Sequence, residues 1–182
     1  YRGMYGEPPA GLDKATFLER QRQYRDAEIN SMRDVPRYIE KAWRIYGCSD
    51  FVNDASGSLC EIADIPDADD PVISTLRATS LILYIRADAA NEQALKERAE
   101  TNPKPLFYHP AFIETHLAGQ PDDGVGVDRK DFARKLFPLL LEDRKPRYEE
   151  FARRYGFCID VGKLYSNGTD ISSDDFKRLL YD

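Results

Sequence analysis

The sequence predicts an α/β protein, in which helices cover both faces of a parallel sheet. Two observations indicate this class: continuous apolar runs of strand length, and helical stretches that separate these runs along the chain. Ser80–Arg86 is the clearest strand, because a continuous apolar run is typical of a strand that is buried on both faces. Strands that are separated by helices need crossover connections, and these produce parallel sheets. The 182 residues correspond to one domain, 1–182.

Residues with known preferences for helix ends mark the predicted helices. The stretch from Asp13 to Met32 lacks Gly and Pro, and a second helix follows Asp34 and ends at Gly47. Later helices are expected to start at Asp70-Pro71, Asp88, Pro110, Asp128, Arg144 and Ser173. Gly156 should end the helix that starts at Arg144, and Pro138 should kink the helix that starts at Asp128.

Two shorter strands are expected at Phe51-Val52 and at Phe157–Ile159. Because central strands of parallel sheets are apolar on both faces, their side chains should form the core. The predicted core consists of Val52, Leu81, Leu83, Ile85 and Ile159, with Phe51 and Trp43 largely buried.

Charge and composition exclude some function classes. The net charge of −6 argues against a general nucleic-acid or anionic-membrane surface, and no run approaches the ~20 apolar residues of a membrane helix. Two histidines are too few to complete an ordinary zinc site. We interpret the three unpaired cysteines, Cys48, Cys60 and Cys158, as buried thiols in a reducing cytoplasm.

Polar residues follow the first predicted strand, where ligands of open α/β sheets bind. Asp54 could hold Mg²⁺ through water or accept a proton from a hydroxyl, although the motif is also typical of a turn or a helix cap. Ser56 and Gly57 lie in a small-residue stretch that lets the backbone approach a ligand.

Several cations stand out in a chain that is acidic overall. Arg25, Arg144 and Arg147 have the chemistry that clamps phosphates and carboxylates, although any one of them is ordinarily a solvated surface residue. Lys104 lies between two prolines, so it is either the tip of a stiff lid over phosphates or an incidental residue of a structural loop. We expect residues 101–127 to form this lid-like segment. Neither a GxxxxGK[ST] nor a GxGxxG motif occurs in the sequence.

The two histidines favour structural roles. His109 is expected to cap the helix from Pro110, and His116 to be half-buried.

The order of these features resembles P-loop kinases of the shikimate-kinase and gluconate-kinase type, including uncharacterised bacterial ATPases. Tyr24–Glu28 is similar to the Phe-Arg-x-x-Glu of shikimate kinases, and Ala55–Ser58 falls where that family has its Gly-Gly-Gly substrate loop. Lys104–Phe107 resembles the Arg-Pro-Leu-Leu of the family's lid, and Arg144–Ala152 its closing Arg-x-Pro-Leu-Tyr-Glu-Glu-Val-Ala.

This resemblance implies a three-layer P-loop fold that lacks its N-terminal strand, with the phosphate loop upstream of Tyr1. It also implies ATP and Mg²⁺ as cofactors and a small anionic acceptor as substrate. Asp54 would orient the metal or the acceptor hydroxyl, and Lys104 would close over the transferring phosphate. Arg25, Arg144, Ser56 and Gly57 would bind the acceptor. Arg25, Lys104 and Arg144 should therefore converge on one cleft, close to Ser56 and Gly57. The alternative is a non-catalytic kinase-like module that binds a protein partner.

Overall fold

A computed structural model describes residues 3–55, 57–164 and 172 of the chain. The helices are α1 (Lys14–Arg33), α2 (Val35–Tyr46), α3 (Leu59–Ile62), α4 (Pro71–Thr79), α5 (Ala89–Thr101), α6 (Pro110–Leu117), α7 (Arg129–Tyr155) and α8 (Val161–Leu164). The strands are β1 (Leu83–Arg86), which precedes α5, and β2 (Phe157–Asp160), which precedes α8.

The predicted three-layer parallel sheet is wrong. The structure is about 60% helical, and its described sheet contains only β1 and β2. The two strands are parallel, as expected, but Phe51-Val52 does not form a strand. A short apolar run has the same local pattern whether or not neighbouring strands cover it. The pattern alone therefore could not show how many strands the sheet contains.

The predicted core was also largely wrong. Ile159 is buried and Leu83 is half-buried, but Val52 is 92% exposed and Leu81 62% exposed. Ile85, Phe51 and Trp43 are exposed as well. Val52, Leu81, Phe51 and Trp43 lie outside both strands, so no neighbouring strand covers their side chains. Ile85 lies in β1, which pairs with only one strand among the described residues.

The actual core consists of two hydrophobic clusters between helices. The first joins α3, α4 and the C-terminal part of α7, and it includes Ile62, Ile73 and Phe151. The second joins the start of α1 to α6 and the N-terminal part of α7. Gln21, which is buried in α1, ties this helix to the segment before α6, since its side-chain amide donates to the carbonyl oxygen of Leu106 and accepts from the amide of Tyr108.

Most helix ends lie where the sequence predicted them. Asp70 caps α4 through its Oδ1, which accepts hydrogen bonds from the amides of Val72 at 2.8 Å and Ile73 at 3.1 Å. Gly47 ends α2 with φ 64°, a left-handed conformation that glycine adopts without strain. His109 caps α6 and His116 is half-buried, as expected.

The helices predicted from Asp128 and from Arg144 are one helix. α7 runs through 27 residues and contains both Pro138 and Pro146. Each proline leaves one carbonyl without its usual helical partner. The buried side chains Leu140 and Phe151, one in each hydrophobic cluster, hold the helix on both sides of Pro146.

The cysteine prediction is correct for one residue of three. Cys60 is buried, whereas Cys48 and Cys158 are exposed free thiols. The helix expected to begin at Ser173 lies outside the described residues. Within residues 3–55 and 57–164, no helix combines the length and the apolar character that a membrane crossing demands.

Candidate binding pocket

A cavity of about 590 Å³ opens beside α3, and α1 and the C-terminal part of α7 contribute to its walls. This volume lies within the usual range for small-ligand pockets. Its polar lining consists of Arg25, Cys60, Glu61, Asp64, His109, Arg147 and Glu150. Arg25 and Arg147 are basic, and Glu61, Asp64 and Glu150 are acidic, so the pocket is lined by both signs of charge.

The carboxylate of Glu61 makes a buried ion pair in the wall of the pocket. Its two oxygens accept hydrogen bonds from Nε and Nη2 of Arg144, both at 2.8 Å, and the Glu61 side chain is fully buried. Arg144 also donates from Nη2 to the carbonyl oxygen of Phe107 at 3.1 Å. The pair thus ties α3, α7 and the segment before α6 together, and it gives Arg144 a structural function.

Burial changes the acid–base properties of this region. It raises the pKa of Glu61 to about 7, although the hydrogen bonds from Arg144 oppose the rise. Burial, together with the Glu61 charge, also raises the pKa of Cys60 to about 12. The Cys60 sulfur is therefore a protonated thiol at neutral pH, and it is a poor nucleophile.

Arg25 extends from α1 to the pocket. Its Nη2 donates to the carbonyl oxygen of Ile62 at 3.3 Å, which places the guanidinium beside the end of α3. Arg147 lies one α7 turn after Asp143, and its Nε lies 3.2 Å from Asp143 Oδ2. Two guanidinium groups from different helices therefore face the same cavity.

His109 adds a neutral polar group to the lining. Its Nδ1 accepts a hydrogen bond from the amide of Ala111 at 3.3 Å, so the neutral ring has its proton on Nε2. Burial lowers the pKa of His109, and the positive charges of Arg147 and Arg25 lower it further. The imidazole therefore stays neutral near pH 7 and can donate one hydrogen bond from Nε2.

The structure places some of the predicted site residues together and others apart. Arg25 lines the pocket, and a Cβ at Gly57 would lie 3.2 Å from Nη1 of Arg144. Asp54 and Lys104 are exposed and do not line the pocket, and Ser56 lies outside the described residues.

Sequence reasoning missed Glu61 and Asp64. An acidic residue inside the apolar stretch Leu59–Ile62 is a signal for a buried, paired carboxylate, and it could have identified Glu61. Its partner Arg144 lies 83 residues away, so the pair itself could not be predicted. Nothing in the local sequence of Asp64 distinguishes it from the other acids of that loop.

The comparisons with known proteins give no relative. No protein-family model matches the chain, and neither a curated protein nor a solved structure is significantly similar to it. In the part of the chain that the structure describes, no group of three His, Cys, Asp or Glu side chains is arranged to hold a metal ion.

Proposed function

We propose that this chain binds the anionic group of a small molecule in the pocket beside α3. The observation that carries the proposal is that Arg25 faces the cavity without a carboxylate within 4.0 Å among the described residues. Arg147 and the Nε2–H of His109 supply further donors. A guanidinium and neutral N–H groups are suited to phosphate and carboxylate oxygens.

The test is calorimetric titration of the protein with inorganic phosphate and with simple carboxylates. Arg25→Ala should weaken binding about tenfold to a hundredfold, since a hydrogen bond to a charged group contributes about 1.5–3 kcal/mol. Arg20→Ala, an exposed substitution on the same helix, is the matched control and should leave the affinity unchanged. Equal affinities for all three proteins would contradict the proposal.

We further propose that the bound acid is the acceptor of an ATP-dependent phosphoryl transfer with Mg²⁺. The supporting contact is the hydrogen bond from Arg144 to the Phe107 carbonyl, which keeps the segment that begins at Lys104 close to the pocket. Lys104 and Asp54 keep the roles that the sequence suggested, closing over the phosphate and orienting the metal or the hydroxyl.

Acid-dependent formation of ADP from Mg-ATP tests this step. Lys104→Ala and Asp54→Asn should each lower the turnover and leave the affinity for the acid unchanged. Phosphoryl transfer would be refuted if the protein does not bind ATP and shows no turnover with any acid that binds. The proposed anion pocket would not be affected by this result.

A second candidate function is that of a non-catalytic module that binds a protein partner. The observation that favours it is the two-stranded sheet, whose apolar side chains Ile85 and Phe157 are 48% and 57% exposed. A chain that binds neither acids nor ATP, but associates through this sheet, would have this function.

The compartment that we propose is the cytoplasm. The support is that Cys48, Cys60 and Cys158 are all free, as expected in a reducing environment. Alkylation during denaturing lysis of cells, without a reductant, should label all three thiols.

A further inference from the structure

Most charges that line the pocket are neutralised by neighbouring side chains. Glu61 pairs with Arg144, and Arg147 pairs with Asp143. Glu150 pairs with Arg153 at 2.7 Å and with Arg154. These charges are therefore compensated before any ligand enters.

Arg25 and Asp64 are the exceptions. In the described part of the chain, neither has an oppositely charged side chain within 4.0 Å, although both line the pocket. Arg25 contacts the carbonyl oxygen of Ile62. Among the described residues, the hydrogen bonds of Asp64 involve its main chain: its amide donates to Asp70 Oδ2 at 3.2 Å, and its carbonyl oxygen accepts from the Asp67 amide at 2.9 Å. The cavity therefore presents one uncompensated cation and one uncompensated carboxylate.

We propose that the ligand is a small zwitterion of the amino-acid class, with its carboxylate bound by Arg25 and its ammonium group by Asp64. This inference rests on the proposed anion pocket and specifies its ligand. A simple anion would satisfy Arg25, but it would be repelled by Asp64. A ligand with both charges compensates both side chains, and the neutral Nε2–H of His109 can donate to its carboxylate.

Four compounds with the same number of carbon atoms test the charge pattern. They are α-aminobutyrate, γ-aminobutyrate, butyrate and butylamine, each titrated into the ¹³C-labelled protein. His109 lines the pocket, whereas His116, the other histidine, bonds the Phe112 carbonyl and does not line it. The imidazole signals of these two residues therefore serve as the site reporter and its internal control.

At least one aminobutyrate should bind about fivefold more tightly than butyrate, the gain expected from one solvent-accessible ion pair. Asp64→Asn should remove this preference, and it should strengthen butyrate binding if it changes it at all, because the repulsion between two carboxylates is lost. Asp69→Asn, an exposed substitution in the same loop and outside the pocket lining, should retain it.

The outcomes separate the two proposals. If butyrate binds as tightly as both aminobutyrates, or if Asp64→Asn keeps the preference, the zwitterion inference is wrong and the anion pocket stands. If none of the acids shifts the His109 signals, and phosphate also fails to do so, both proposals are overturned. A preference that is lost in Asp64→Asn and kept in Asp69→Asn supports the inference.

Discussion

Glu61 alone combines a formal charge with full burial among the described residues. Its carboxylate gains two hydrogen bonds from Arg144 and loses its hydration, and the raised pKa indicates that the second effect is larger. The pair is therefore better suited to fixing the positions of α3 and α7 than to adding stability.

The stability of the protein should consequently depend on pH through Glu61. A carboxyl whose pKa is raised in the folded state binds its proton more tightly there than in the unfolded chain. Its contribution to the free energy of unfolding is thus fully present below about pH 4.5 and is lost as the pH rises to about 7. The loss amounts to at most about 3 kcal/mol.

Glu61→Gln isolates this effect, because Gln resembles the protonated acid and does not titrate. Denaturant unfolding of both proteins between pH 4 and pH 8 should show the wild type losing stability relative to the variant as the pH rises. A difference that grows in favour of the wild type would mean that the attraction of Arg144 exceeds the cost of burial.

At the scale of the element, Asp70 performs two functions with one side chain. Its Oδ1 caps α4, and its Oδ2 accepts the main-chain amide of Asp64, which lines the pocket. The same carboxylate thus stabilises a helix and fixes the loop that carries Asp64.

Two substitutions should separate these functions. Asp70→Ala removes both and should cost about 1 kcal/mol of unfolding free energy, as loss of a cap usually does. Asp70→Asn keeps an oxygen for the cap, so thermal unfolding should change little while the amide of Asp64 exchanges faster. Equal destabilisation by both variants would show that the Oδ2 contact, rather than the cap, supports the helix.

The segment 101–127 contains two kinds of structure. Its central part includes Phe107, Ile113 and Leu117, which are buried in the hydrophobic clusters. Its final part, 119–127, is held chiefly by contacts with residues 3–14, such as the bond from the Glu7 amide to the Val127 carbonyl at 2.9 Å. There Gly124 has φ 73°, and a Cβ at this position would lie 2.5 Å from the Gly6 carbonyl oxygen.

Within 101–127, residues 119–127 should be the more mobile part, because hydrogen bonds at the surface hold them and most of their side chains are exposed. We expect fast amide exchange there and slow exchange in α6, because exchange is slowest where apolar packing protects the backbone. Hydrogen-exchange mass spectrometry of the free protein measures both regions. Uniform exchange rates from 101 to 127 would show that the segment opens as a single lid.

The helix ends could be predicted because caps act within a few residues. Asp13, Asp70, Asp88 and Asp128 each accept main-chain hydrogen bonds from the turn that follows. The exposure of Val52 and Leu81 could not be predicted, since burial depends on which distant segments cover a side chain. For the same reason Arg144 was assigned to the ligand, and the structure shows its guanidinium bonded to Glu61.

At the scale of the whole molecule, the sheet leaves an apolar surface open to solvent. Tyr84 stacks on Tyr148 of α7 with ring centres 5.2 Å apart, so one face of the sheet is covered. Strand register places Leu83, Ile85, Phe157 and Ile159 on the other face. Of these, Ile85 and Phe157 are exposed, whereas Leu83 is half-buried and Ile159 is buried. Unpaired strand edges beside apolar side chains favour pairing with another strand.

We therefore expect the purified chain to self-associate through β1 as its concentration rises. Leu81→Lys should weaken this association about tenfold, because a dimer would bring the added charges of both copies together. Stability should change little, since Leu81 is 62% exposed. Val125→Lys is a matched control, because Val125 is 59% exposed but lies in the segment 119–127, away from the sheet. Light scattering over a range of concentrations measures the association of all three proteins. Equal weakening by both substitutions would indicate a general effect of charge. A wild type that stays monomeric would show that β1 does not pair.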